Sequence, residues 1–338
     1  MANKWAAMIA AAICAAAVPA AKAEEVNLLF GTTLPAQVHL NVRVLHPWAD
    51  KINEQGKGVV HIDVRDGESI ANLSNFYSRV QDDVIQISWG LQSAIGGKFP
   101  RTQVGALPFE VDKAENGSVA LWRLYQRGLF DAEYDTVKPL FMITFPPAGG
   151  HFAKAPKTLE NLNGLKLATG SKVGADTVSR LGGAPLSMVT SEYYTAIQRG
   201  MVDGVLVQWT AFQPFKLQDV TFYHVETKLG GGATGMVFMA KKRYDALPAA
   251  ARKILDDNSL EAESRVYGKF WDDVDNEGRE MVKALGDKHQ IVTIPPEIEA
   301  KWRTAISPVI DDWQKTTPDG DKVLAAFRTE IAKVRAGD

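Results

Sequence analysis

Residues 158–208 decide the fold, and they read TLENLNGLKLATGSKVGADTVSRLGGAPLSMVTSEYYTAIQRGMVDGVLVQ. Short apolar runs beside turn residues predict strands, whereas apolar residues at helical spacing predict helices. The predicted elements are a strand over 164–168, a helix over 173–181, a strand over 185–189, a helix from Thr190 to Met201 and a strand over 205–207. Thr190 or Ser191 is expected to cap the second helix. Strands that alternate with helices of about ten residues indicate parallel strands and an α/β fold.

The order of several short phrases resembles one known family, the periplasmic substrate-binding proteins of tripartite ATP-independent (TRAP) transporters. The phrases are GLKL (164–167), LGGAPLSM (181–188), SEYYTAIQRGMVDG (191–204), GGKFP (96–100), LPF (107–109) and YDALP (244–248). The resemblance implies a two-lobed protein that captures a small molecule between its lobes and closes around it. It also implies membrane permease subunits as partners and no cofactor.

The first 23 residues have the composition of a secretory signal peptide. Lys4 supplies a positive start, residues 6–18 form an uncharged apolar run, and 21–23 offer a small-x-small cleavage site. The apolar run is too short to span a bilayer comfortably. We therefore expect a soluble periplasmic protein without direct membrane insertion. Cleavage would also remove the single cysteine, Cys14.

The length, net charge and histidine spacing of the chain exclude some classes of function. The chain has 338 residues, 46% of them hydrophobic, which permits one large core or two smaller ones. The formal net charge is −2, so no basic surface argues for nucleic acid as a partner. The six histidines show no metal-ligand spacing. We therefore expect neither nucleic acid nor a metal at the functional site.

Enzyme motifs are weak. Glycines 230, 232 and 235 match a dinucleotide-binding fingerprint in form, but they precede the apolar strand Met236–Met239 instead of opening a helix. The adjacent acidic pairs at 82–83, 256–257 and 272–273 are expected to be solvated. An exported enzyme on the same scaffold and a sensor subunit are the rival classes. Turnover of a bound compound would favour the first, and a neighbouring pair of permease genes would argue against the second.

The chain is expected to cross twice between its lobes. Pro146–Gly150 is the expected hinge at the first crossing, because prolines stiffen the approach and glycines permit rotation. The helical pattern from Pro248 to Leu285 would reach about 57 Å if it were continuous, long enough to span both lobes. The predicted units are a signal peptide (1–23), lobe I (24–146 with 236–277), lobe II (147–235 with 278–300) and C-terminal helices (301–338).

The predicted site follows from the two-lobe fold, because ligands bind beyond the carboxyl ends of strands in open α/β sheets. That rule places Thr33, Asn72 and Trp89 near one wall of a cleft. The full set of candidate ligand-binding residues is Thr33, Asn72, Trp89, Phe145, His151, Ala168, Thr190, Gln208 and Trp209.

The charge of the ligand is left open between two alternatives. Members of the family commonly grip a substrate carboxylate with an arginine after the glycine-leucine-lysine strand, and this chain has Ala168 there. In the first alternative another cation, Lys172, Arg180 or His151, holds an organic acid. In the second, Trp89, Trp209 and Phe145 line a pocket for an uncharged, aromatic or amine-bearing molecule. The missing arginine favours the second alternative.

Overall fold

A computed structural model describes residues 24–230 and 232–338. Residues 1–23, which carry the predicted signal peptide, lie outside the described residues. Within the described part of the chain, no helix combines the length and the apolar character that crossing a membrane requires.

The structure contains strands and helices in alternation, as the sequence indicates. The strands are β1 (Val26–Gly31), β2 (Val60–Arg65), β3 (Ile87–Leu91), β4 (Val137–Thr144), β5 (Ala148–Phe152), β6 (Lys166–Thr169), β7 (Ala184–Ser187), β8 (Gly204–Val207), β9 (Tyr223–Gly230), β10 (Thr234–Ala240) and β11 (Gln290–Thr293). The helices are α1 (His46–Gln55), α2 (Phe76–Gln81), α3 (Ala114–Gln126), α4 (Lys172–Arg180), α5 (Tyr193–Gln198), α6 (Phe212–Phe215), α7 (Lys241–Asp245), α8 (Ala249–Asp257), α9 (Leu260–Lys283), α10 (Pro296–Thr316) and α11 (Gly320–Arg335). A π-helical turn, Asn41–Leu45, precedes α1.

Two separate sheets define two lobes, which we call lobe I and lobe II. The sheet of lobe I has five strands in the order β2-β1-β3-β10-β4. The sheet of lobe II has six strands in the order β11-β9-β5-β8-β6-β7. The α/β fold with two lobes is therefore confirmed. The exact boundaries of the predicted units stay a prediction.

The expectation of parallel strands is only partly right. β1 runs parallel to β2 and β3, and β6 runs parallel to β7 and β8. β10 and β5, however, are antiparallel to both of their neighbours. These two strands follow directly on the crossings between lobes. They therefore enter their new sheet from the edge at which the other strands end, which reverses their direction.

The predicted hinge is also shorter than expected. Gly149 and Gly150 are buried inside β5, so the first crossing is reduced to Phe145–Pro147. A Cβ atom at Gly149 would lie 3.0 Å from the carbonyl oxygen of Val225 on the neighbouring strand. These glycines thus permit close strand packing, and their burial in the sheet limits the free rotation that the sequence suggested.

Each sheet carries apolar clusters on its faces. In lobe I, α1, α8 and α9 bury Trp48, Leu255 and Tyr267 against the strands. On the opposite face α3 and α11 bury Trp122 and Phe327. Helix α10 packs on both lobes, because Trp302 is buried in lobe II and Trp313 packs on the same cluster of lobe I as α11. Helix α11 thus completes the core of lobe I, and α10 contacts the cores of both lobes.

The long helical pattern near residue 248 is interrupted in the structure. Helix α8 ends at Asp257 and α9 begins at Leu260, whose φ of 69° lies in the left-handed region. The 24 residues of α9 span about 36 Å. Its residues Phe270 and Val274 join the core of lobe I, and Val282 joins a core cluster of lobe II. A helix that spans both lobes is thus confirmed, although it is shorter than the pattern predicted.

Close packing of α9 on α3 depends on Gly268. A Cβ atom there would lie 2.5 Å from the Cα of Glu115 and 2.7 Å from the carbonyl oxygen of Ala114. We expect Gly268→Ala to lower the free energy of unfolding by about 1–3 kcal/mol, because backbone atoms cannot move aside. Val266→Ala, at an exposed position of the same helix, should change it by no more than about 0.5 kcal/mol. Urea unfolding of both variants checks this, and equal stabilities would contradict it.

Candidate functional site

The strand ends that face the crossing form the candidate cleft. Phe145 follows β4 of lobe I, and β5 of lobe II begins three residues later at Ala148. Gly149 pairs with Val207 at the end of β8, so the end of β8 lies at the same edge. Three residues span about 10 Å at most. The carboxyl edges of the two sheets therefore lie close together, as the predicted site requires.

Lobe I contributes four aromatic side chains, which we call the aromatic wall: Trp89, Phe145, Tyr267 and Trp271. The ring of Phe145 lies 4.3 Å from that of Trp271, and Trp271 lies 6.3 Å from Tyr267. Tyr267 in turn faces the indole of Trp89. Trp89 and Tyr267 are almost completely buried, whereas Phe145 and Trp271 are half-buried. The half-buried pair is therefore the part of the wall that a ligand can reach.

Two polar atoms in this region are buried without a hydrogen-bond partner among the described residues. They are the indole nitrogen of Trp271 and the hydroxyl of Thr33, whereas the indole of Trp89 and the hydroxyl of Tyr267 face each other. Thr33 follows β1 and holds a φ of 60°, which is uncommon for a β-branched residue. A buried donor without an acceptor costs about 1–3 kcal/mol. Such atoms close to a cleft are well suited to a ligand that supplies acceptors.

Lobe II contains a row of buried residues on one face of its sheet. The strand register aligns Ala168, Val205, His151 and His224 across four neighbouring strands. Ala168 is fully buried with Tyr193, Ile197 and other apolar residues. The small side chain of Ala168 is therefore part of the core of lobe II.

Three imidazoles, which we call the histidine chain, extend from this row to the surface: His151, His224 and His289. His151 Nδ1 lies 3.1 Å from His224 Nδ1, and His224 Nε2 lies 3.3 Å from His289 Nδ1. His151 Nε2 donates to the carbonyl oxygen of Val207 at 3.1 Å, so its Nδ1 accepts from His224 when the ring is neutral. Their nitrogens do not converge on one point, and the described residues contain no cluster of metal ligands.

Burial keeps the histidine chain neutral. It lowers the pKa of His151 well below the ordinary histidine value, and repulsion from His224 adds to the shift. Burial likewise lowers the pKa of His224 to about 3. His151 therefore does not supply the positive charge that one of the sequence alternatives assigned to it.

The other two candidate cations, Lys172 and Arg180, form ion pairs at the surface. Lys172 forms an ion pair with Asp176 one helical turn away, and most of its side chain is exposed. Arg180 lies 3.4 Å from Asp312 of α10, and both side chains are exposed. The contacts of all three candidates disfavour the alternative in which another cation replaces the missing arginine.

Gln208 and Trp209 follow β8, as predicted, and Trp209 packs into lobe II. Its ring lies 4.5 Å from the ring of His151 and 4.7 Å from that of Phe212. Only 6% of Trp209 is exposed. Gln208 is half-buried at the strand end. The structure thus gathers His151, Ala168, Gln208 and Trp209 in one region of lobe II.

Asn72 and Thr190 have local roles instead. The side-chain oxygen of Asn72 accepts from the backbone N–H and the hydroxyl of Ser74, which holds the turn before α2. Thr190 lies in a 3₁₀ turn before α5 and, like Ser191, makes no capping hydrogen bond with its side chain. The predicted cap is therefore wrong. Among the described contacts, neither residue touches the other predicted site residues.

Sequence reasoning missed the contribution of α9. Asp272 was expected to be solvated, but it accepts backbone N–H groups from Ala114 at 2.7 Å and from Glu115 at 3.0 Å. Asp275 accepts the N–H of Thr210 in lobe II at 3.3 Å. The spacing of Tyr267, Trp271 and Asp275, four residues apart, places them on one helix face, and this was the signal available in the sequence.

Burial raises the pKa of the two carboxyl groups of α9 that accept backbone N–H groups, Asp272 and Asp275. The pKa of Asp272 rises to about 6 and that of Asp275 to about 7, even though backbone N–H groups favour the charged forms. Asp256 also departs from the expected solvated surface, because it accepts the hydroxyl of Tyr244 at 2.7 Å. Asp273, by contrast, is exposed and pairs with Lys269 at 2.9 Å. An acidic pair in sequence can thus divide between a buried and a solvated role.

Two lobes joined by short crossings, with an aromatic wall at their meeting edges, define a two-lobed ligand-binding protein. The sequence profile of the bacterial extracellular solute-binding proteins, family 7, named DctP, matches residues 30–316. The chain therefore belongs to this family, the solute-binding proteins of TRAP transporters, and the resemblance seen in the sequence is confirmed.

Individual relatives cover almost the whole chain. A protein of Comamonas testosteroni named "Outer membrane transporter protein TsaT" is 26% identical over 335 residues, which are 96% of this chain and 97% of that protein. A TRAP solute-binding protein from Rhodoferax ferrireducens, solved with copurified benzoate, is 27% identical with a TM-score of 0.83, and the match covers 93% of this chain and 100% of that one. A marine metagenome TRAP solute-binding protein, solved with 3-hydroxybenzoate, has a TM-score of 0.83 at 24% identity over 92% of this chain and 99% of that one.

The neutral state of His224 predicts a pH dependence of stability. In the unfolded chain histidine takes up a proton near pH 6.5, whereas folded His224 does so only near pH 3. The unfolded state then binds more protons, so stability falls as the pH decreases below about 6.5. At pH 5 this loss amounts to roughly 2 kcal/mol.

The raised pKa values of the buried Asp272 and Asp275 have the opposite effect, because they favour the folded state at lower pH. A comparison of variants therefore separates the contribution of His224 from that of the two carboxyl groups. We expect His224→Gln to lose less stability than the unchanged protein between about pH 7 and about pH 5. His61→Gln, at an exposed histidine, should leave the dependence unchanged. Denaturant unfolding at several pH values measures this, and equal slopes for His224→Gln and the unchanged protein would refute the assignment.

Proposed function

We propose that this protein captures a small monocyclic aromatic compound between its lobes and delivers it to the membrane permease of a TRAP transporter. Export to the periplasm by residues 1–23 is part of this proposal, because the ligand and the permease meet there. Ligand capture requires that the closed state binds the compound better than the open state does. The candidate cleft between the two sheet edges supplies the place for it.

The close contact between the rings of Phe145 and Trp271 is the observation that carries the choice of an aromatic ligand. The two rings lie 4.3 Å apart at the edge of lobe I and remain half-buried. Aromatic rings prefer offset or edge contacts with other rings, and each such contact adds about 0.5–1.5 kcal/mol beyond the burial of surface. A flat ring placed against this pair would complete the burial of both side chains.

The polar atoms beside the aromatic wall favour an acid over an amine. Trp271 offers only an N–H donor, and the hydroxyl group of Thr33 can also donate. A carboxylate oxygen accepts such hydrogen bonds, whereas an ammonium group can only donate. We therefore propose an aromatic carboxylate held by uncharged donors, and the amine-bearing ligand suggested by Ala168 becomes the weaker candidate.

A relative supports the same ligand class. The Rhodoferax ferrireducens protein, 27% identical to this chain, carries copurified benzoate. Benzoate combines one flat ring with one carboxylate, the two features that the aromatic wall and its unpartnered donors would contact. Benzoate is therefore the first compound to test.

The proposal is tested by thermal unfolding of the chain from Glu24 to Asp338 with benzoate, benzamide, benzylamine and succinate. We expect benzoate to raise the midpoint most, and a ligand at a hundredfold excess over its dissociation constant stabilises by about 2.7 kcal/mol. Benzamide has the aromatic ring without the negative charge, and succinate has carboxylates without the ring. A larger shift with succinate or benzylamine than with benzoate would reject the proposed ligand class.

The indole nitrogen of Trp271 gives a sharper prediction. Trp271→Phe keeps a ring against Phe145 but removes the N–H donor, so the affinity for benzoate should fall about tenfold, since a hydrogen bond to a charged group contributes about 1.5–3 kcal/mol. The affinity for benzamide should fall less. Isothermal titration measures both.

Trp313→Phe is the matched control, because the indole of Trp313 donates to the carbonyl oxygen of Pro100 in a contact between α10 and lobe I. We expect this variant to leave the affinity for benzoate unchanged. Equal affinities for benzoate in Trp271→Phe and the unchanged protein would exclude Trp271 as a donor to the ligand.

A further inference from the structure

Helix α9 contacts each lobe through the same combination of residues, a glycine that permits close approach and an aspartate that accepts backbone N–H groups. For lobe I, Gly268 permits contact with the backbone of Glu115, and Asp272 accepts the N–H groups of Ala114 and Glu115. For lobe II, a Cβ atom at Gly278 would lie 2.4 Å from the carbonyl oxygen of Trp209. The carboxylate of Asp275 accepts the N–H of Thr210 at 3.3 Å. In each case a glycine allows the approach of a backbone and a carboxylate binds it.

The contact with lobe II restrains the backbone at Trp209, two residues after the end of β8. Asp275 accepts the N–H of Thr210 and Gly278 lies against the carbonyl of Trp209, and these two groups form the single peptide unit that follows the Cα of Trp209. The helix therefore restrains the position from which the Trp209 side chain departs. One turn earlier on α9 lies Trp271 of the aromatic wall. A single rigid helix thus carries a wall residue of lobe I and the contact that holds Trp209 of lobe II.

We propose that Asp275 is a positioning residue that holds Trp209 at a fixed place opposite the aromatic wall, so that the ligand is enclosed between them. This inference rests on the proposed function, because it assigns Trp209 to the wall of the ligand site. Asp275 itself does not contact the ligand. It acts through the backbone of Trp209 and Thr210, and loss of its carboxylate releases that backbone from α9.

The position of Trp209 can be observed directly by fluorine NMR of protein labelled with 5-fluorotryptophan. Trp209→Phe identifies its resonance. In the protein without ligand, Asp275→Ala should shift and broaden the Trp209 resonance and leave that of Trp313 in place. Asp275→Asn keeps an oxygen acceptor for the N–H of Thr210, so its effect should be smaller. A purely stabilising role of Asp275 would lower the free energy of unfolding and leave the Trp209 resonance of the folded protein unchanged.

Binding supplies the second measurement. We expect Asp275→Ala to weaken benzoate binding about tenfold, which corresponds to about 1.4 kcal/mol, chiefly through faster dissociation. Two neighbouring positions provide controls. Asp273→Asn removes an exposed carboxylate that pairs with Lys269, and it should change neither measurement. Asp272→Asn loosens the docking of lobe I, so it should lower stability without shifting the Trp209 resonance.

The outcomes separate the two proposals. If the unchanged protein binds no aromatic compound, the proposed ligand is wrong, while the Trp209 resonance of the variants still decides the role of Asp275. If Asp275→Ala does not fold, Gly278→Ala takes its place, since the added methyl group would displace the carbonyl of Trp209 and move the same resonance. An unshifted Trp209 resonance together with unchanged benzoate affinity in a folded variant would overturn the role assigned to Asp275.

Discussion

The arrangement of this protein depends on the contacts that one helix makes with the backbones of both lobes. Helix α9 accepts N–H groups of lobe I through Asp272 and of lobe II through Asp275. Backbone N–H groups at the start of a helix or turn have no partner within it, so a carboxylate from elsewhere satisfies them. Because these two residues lie three positions apart on a rigid helix, each lobe is located relative to the same short segment.

The same helix explains why the candidate site lies where it does. Tyr267 of α9 lies in the core of lobe I, and Trp271 extends the apolar face of the helix from that core toward the crossing at Phe145. The unpartnered donors beside them would be costly in a closed core without an acceptor. Their presence at the edges of two sheets is a local departure from good packing, and such departures are expected at binding sites.

The neutral histidine chain and the buried Ala168 leave this part of lobe II without a positive charge. In the row that crosses the sheet, an arginine at position 168 would bury a cation beside apolar side chains, and burial of an unpaired charge is costly. His151 cannot replace that charge, because burial and His224 keep its ring neutral. The proposed recognition of a carboxylate therefore shifts to uncharged donors of lobe I, where polar atoms are already desolvated.

The sequence by itself determined the α/β class, the family and the segments in which most strands and helices lie, because local periodicity and turn residues specify them. It also located Phe145, Gln208 and Trp209 at strand ends, whereas Trp89, expected at the exit of its strand, lies in the middle of β3. Only the tertiary structure decided that β5 and β10 are antiparallel, that Gly149 and Gly150 belong to a strand, and that Asp272 and Asp275 bind backbone groups of opposite lobes. The partners in these contacts are far apart along the chain, and no local pattern of residues records which distant backbone a carboxylate or a glycine will meet.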